Sequence, residues 1–120
     1  MKLRVAWVSM VAFLAGAAPA AAGGALVTPG LFADTANVVC LVQNLGDTTT
    51  TATAHLYDAD GDLVAENFDY PAYPGLNAPA SGLNVTGAFY CVFEGLGKGL
   101  RGFISLNEGN QSVLVLPAGR

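Results

Sequence analysis

Two cysteines, and no more, set the terms on which this chain can fold. Each stands at the centre of a short apolar run, Val38-Val39-Cys40-Leu41-Val42 and Phe89-Tyr90-Cys91-Val92-Phe93. β-Branched and aromatic residues suit a pleated, half-buried surface, so each run reads as a strand. If Cys40 points inward, the two-residue period of a strand sends Val38 and Val42 inward with it. The same reasoning groups Phe89 and Phe93 with Cys91 and turns Tyr90, Val92 and Glu94 outward. Two such strands joined by a bridge would pin a small β-sandwich.

Whether the sulfurs pair depends on the compartment. Lys2 and Arg4 precede an apolar run from Val5 to Ala15, and the small residues 17–22 follow. This is the pattern of a secretory signal peptide, with cleavage expected after Ala22 or, alternatively, after Ala20. An uncleaved anchor is the competing reading, but the run is far short of the roughly 20 residues that span a bilayer. The expectation is therefore a signal peptide over 1–22 and one mature domain over 23–120, periplasmic or extracellular, with no membrane span once the leader is cut. Two cysteines in an exported chain read as a disulfide; the alternative is two free buried thiols. Closing a loop of this length stabilises a domain by about 4 kcal/mol in the chain-entropy account.

The mature chain of about 98 residues suffices for one domain. Removing the leader leaves Lys98, Arg101 and Arg120 against nine carboxylates, a net charge near −6. Nucleic acid would be repelled by that balance and is excluded as a partner.

Along the chain, short apolar runs alternate with Gly, Asp and Asn turns, and no mature stretch carries a convincing 3.6-residue period. Ala25-Leu26-Val27 reads as a first short strand, and residues 34–37 as a turn. In the strand from Thr48 to Tyr57, alternation places Ala52, Ala54 and Leu56 toward the core and Thr53, His55 and Tyr57 on the other face. Asp-Gly within residues 58–62 marks a hairpin. Residues 69–82, with three prolines and two glycines, read as irregular chain. A short strand over 83–86, broken by Gly87, precedes the second cysteine run, and two more strands end the chain. The sum is an all-β, antiparallel β-sandwich of about seven to eight strands with an inter-sheet Cys40–Cys91 disulfide.

The segments Cys40-Leu41-Val42-Gln43-Asn44, Tyr57-Asp58-Ala59-Asp60-Gly61, Tyr90-Cys91-Val92-Phe93 and Lys98-Gly99-Leu100-Arg101-Gly102 resemble those of small exported bacterial β-sandwich proteins, immunoglobulin-like in layout. The likeness spans most of the mature chain. It departs from immunoglobulin domains in two places. Trp7, the one tryptophan, lies in the leader, and Phe89 stands where a tyrosine corner has Tyr. The resemblance implies fold and export, and it brings no functional residues with it.

Few residues suggest chemistry. His55 is the sole histidine and is expected as a half-exposed strand residue; no catalytic residue and no cofactor is assigned. Asp58, Asp60 and Asp62 offer three carboxylates in five positions, a candidate calcium site. The spacing departs from an EF-hand, because glycine falls fourth from Asp58 and the twelfth residue is Asp69. Phe68, Tyr70 and Tyr73, with Leu76, form a candidate binding loop able to stack on a glycan or dock an extracytoplasmic protein; the alternative is that they cap one end of the core. The expected function is an exported, non-catalytic structural or protein-interaction module, with a small carbohydrate- or calcium-binding module as the alternative.

Overall fold

The computed structural model describes residues 25–119. The expected leader over residues 1–22 and its expected cleavage site lie outside these residues. No described helix is long and apolar enough to cross a membrane. The described chain is built from seven strands: β1 (Ala25–Val27), β2 (Leu31–Asn44), β3 (Thr50–Asp58), β4 (Leu63–Ala72), β5 (Gly75–Glu94), β6 (Leu100–Glu108) and β7 (Gln111–Pro117). All pairings are antiparallel, in the order β4-β3-β5-β2-β6-β7, with β1 added to β5.

β5 organises this sheet by changing partners along its length. From Gly75 to Phe89 it pairs with β2. From Phe89 to Glu94 it pairs with β3, and its last three residues also take β1 on the other edge. Past β7, the isolated bridge between Val27 and Gly119 ties the end of the described chain back to β1.

The inward faces are those the alternation predicts. Val38, Cys40 and Val42, then Ala52, Ala54 and Leu56, then Phe89, Cys91 and Phe93 are all buried, with Ile104 from β6 among them. Burying a Leu or Phe side chain stabilises by about 1.5–3 kcal/mol over leaving it wet. Cys40 and Cys91 form the expected disulfide, with Cα atoms 5.9 Å apart. The two residues are not ladder partners: Cys40 lies beside Ala80 and Ile104, and Cys91 beside Leu56. Thr28 locks the second half-cystine in place, since its hydroxyl accepts from the Cys91 amide at 2.9 Å. Its own amide donates to the Cys91 carbonyl at 3.0 Å.

Three expectations are corrected. Residues 34–37 do not turn the chain; they lie within β2. Residues 69–82 are not irregular; they finish β4, make a tight reversal at Tyr73-Pro74, and begin β5. Gly87 does not break the chain into two strands, because β5 runs through it at φ 129°. One mechanism underlies the first two. Thr35, Asp69 and Asn84 adopt positive φ (51°, 49° and 53°), a region that non-glycine residues rarely occupy. Each sends its amide to a side-chain oxygen on a neighbouring strand: Thr35 to Thr86 Oγ1 at 2.9 Å, Asp69 to Thr53 Oγ1 at 3.1 Å, and Asn84 to Asn37 Oδ1 at 2.9 Å. These β-bulges bend long strands without ending them.

Pro79 is accommodated in the same way. It sits where the β2–β5 register shifts between Cys40 and Val42, so no ladder donor is missed. Its carbonyl accepts from Asn67 Nδ2 of β4 at 3.1 Å.

Candidate functional site

The chain gathers polar chemistry on the outward face of β4, β3 and β5. Ladder pairing sets Glu66 and Val92 on either side of His55, and Tyr90 beside Tyr57. His55 Nδ1 lies 3.1 Å from Glu66 Oε1, in hydrogen-bond geometry. Its Nε2 lies 3.4 Å from Glu94 Oε2, misaligned for a hydrogen bond, and has no such partner among the described residues.

His55 is thus not the half-exposed residue expected from its place among threonines. It is only 6% exposed. Phe68 meets its ring edge-on, with centroids 5.5 Å apart. The Tyr57 ring lies tilted 6.0 Å from it and stacks on Tyr90 at 5.4 Å. Burial, followed by the charges of Glu94 and Glu66, raises the pKa of the Tyr57 phenol above its ordinary value.

The candidate binding loop is not a loop, and its members do not converge. Phe68 and Tyr70 are two apart on β4, yet the bulge at Asp69 sends them to opposite faces. Phe68 meets His55, whereas Tyr70 pairs with Ala52, whose side chain is in the core. Tyr73 stands at the hairpin tip, held by Asn77, whose side chain accepts from the Tyr73 amide at 3.1 Å and donates to its carbonyl at 2.8 Å. Phe68, Tyr73 and Leu76 are all exposed, so they do not cap the core as the alternative reading had it.

Asp58, Asp60 and Asp62 do draw together, with one carboxylate oxygen of each within 4.8 Å of the others. The turn accounts for that closeness. Asp58 Oδ1 accepts from the amides of Asp60 and Asp62, both at 2.9 Å, and Gly61 takes φ 82°. An aspartate that closes its own turn in this manner needs no cation to hold the shape.

One surface was not singled out from sequence. β7 ends the strand order and pairs only with β6 among the described strands. Val113, Leu114 and Val115 are 49%, 42% and 47% exposed, three apolar residues in succession. Gln111–Pro117 carries no charged side chain. The signal lay in the run Val113-Leu114-Val115-Leu116 itself, which reads equally well as a buried strand until its neighbours are known. Compared with models of protein families, with curated proteins and with solved structures, the chain matches none.

Proposed function

We propose that this chain is an exported, non-catalytic β-sandwich module, immunoglobulin-like in layout, that acts by binding another protein outside the cytoplasm. The carrying observation is the edge of β7, an apolar, uncharged strand whose outer side has no ladder partner among the described strands. An exposed edge of that kind accepts a further strand, with main-chain hydrogen bonds giving affinity.

Contacts between residues that no ladder joins support the two-layered reading. The disulfide links positions that no ladder joins. A methyl group added at Gly82 of β5 would stand 3.4 Å from Leu56 of β3 and Val64 of β4. One added at Gly102 of β6 would stand 2.6 Å from the Phe93 ring. The disulfide also supports export, because such bonds persist in oxidising compartments. The non-catalytic reading rests on His55, which is buried against carboxylates.

The test is amide hydrogen exchange on the folded protein, in dilute solution and again with an envelope or medium fraction of the producing cell. Slower exchange over Gln111–Pro117 in the second sample is expected. Unchanged exchange there, with or without the fraction and at high protein concentration, would overturn the interaction reading.

A further inference from the structure

We infer that the strand added to β7 is β7 of a second copy, antiparallel about a two-fold axis near Leu114, so that two sheets continue as one across a homodimer. This rests on the interaction reading above and names the partner. Charge is the first argument. The described residues carry nine carboxylates against Lys98 and Arg101. Two copies therefore repel wherever acidic surfaces meet. At the opposite edge, self-pairing of β4 would crowd Glu66 and Asp69 of both copies, and like charges across a strand pair are destabilising. β7 is a strand edge where two copies meet with no charge on either side. A basic partner would find its complement at β4 and at the Asp58–Asp62 turn instead.

Edge protection is the second argument. Sheet edges are commonly blunted by charges, proline or bulges. β4 has all three devices within its span: Glu66 and Asp69, Pro71, and the bulge at Asp69. β7 has a single bulge, at Val113 opposite Leu106 and Asn107, and a proline only at its final position, and it bears no charge. Its middle, Val113-Leu114-Val115, is open and apolar. A two-fold contact asks that one segment serve as both surfaces, and a neutral strand paired antiparallel with itself meets that condition. The contact is a single short strand, so the dimer is expected to depend on concentration. Salt should strengthen it by screening the remaining repulsion between the acidic bodies.

Sedimentation equilibrium of the oxidised protein across concentration and salt tests this. The expected result is a dimer fraction that rises with both. Val115→Lys and Val113→Lys, each checked for unchanged thermal unfolding, should return the monomer. Leu63→Lys on β4 should leave the dimer intact. If neither β7 variant folds, hydrogen exchange of the unaltered chain decides: β7 amides that slow with protein concentration support the dimer, and constant rates overturn it. A monomer at every concentration and salt, or a dimer that survives both folded lysine variants, also overturns it. A monomer whose β7 is still protected by the envelope fraction would sink the dimer alone and leave the interaction reading standing.

Discussion

The two outermost strands of this sheet, β4 and β7, are finished differently. β4 pairs with β3, next to which Leu56, Cys91 and Phe93 are fully buried and His55 is held between carboxylates. Its outer edge bears acid, proline and a bulge. β7 contributes little to the core beyond Leu116, and Val113, Leu114 and Val115 stay wet. β7 carries a bulge at Val113 and a final proline but no charge, so charge is what separates the two terminal strands. The difference teaches that the stability of this fold is concentrated between β3, β5, β2 and β6, with β7 at its margin.

The largest test of that contrast is covalent. Replacing Cys40 and Cys91 together by Ser should lower stability by about 4 kcal/mol, read by denaturant unfolding. A drop near zero would mean that the buried side holds itself without its staple. Next comes one residue type on both sides. Leu56→Ala in β3 should cost about 3 kcal/mol, whereas Leu114→Ala in β7 should stay within about 0.5 kcal/mol. Comparable losses would erase the contrast. Gly102→Ala drives a methyl group into the Phe93 ring and should cost about 2 kcal/mol, unless the ring can move aside.

The smallest expected effect is alkaline. The Tyr57 phenol has its pKa raised in the folded state, chiefly by burial and then by Glu94 and Glu66. The folded chain therefore holds this proton at a pH where the unfolded chain has released it. The contribution is complete below pH 10.0, the ordinary value, and is lost as pH rises through the higher folded value. Tyr57→Phe should flatten that part of the stability profile; an unaltered alkaline slope would show that Tyr57 does not titrate with folding.

Much of the fold is legible in the residues, for local reasons. Alternation around Cys40, Leu56 and Cys91 names the inward side chains correctly, because a strand's side-chain period is a property of its own backbone. The Asp58–Asp62 turn is legible for the same reason, since Gly61 and the Asp58 carboxylate act within five residues. The bulges are not. Nothing near Thr35 indicates that it takes positive φ, because the hydroxyl that receives its amide belongs to Thr86, 51 positions away. Pro79 misleads similarly: proline argues against a central strand until the register shift opposite Leu41 is known. The candidate loop dissolved because the bulge at Asp69 reverses the faces of Phe68 and Tyr70. His55 was misjudged because Glu66 and Glu94 reach it from separate strands.

By itself, the order of residues determined which side chains around Cys40, Leu56 and Cys91 turn inward, where the Asp58–Asp62 turn falls and which two sulfurs are available to pair; each follows from backbone period, local turn chemistry or the count of cysteines. Only the tertiary structure decided that β5 serves two partners, that one histidine lies between two acids and that β7 stands at the rim. Strand pairing joins residues far apart along the chain, and neither alternation nor composition encodes which distant strand lies alongside.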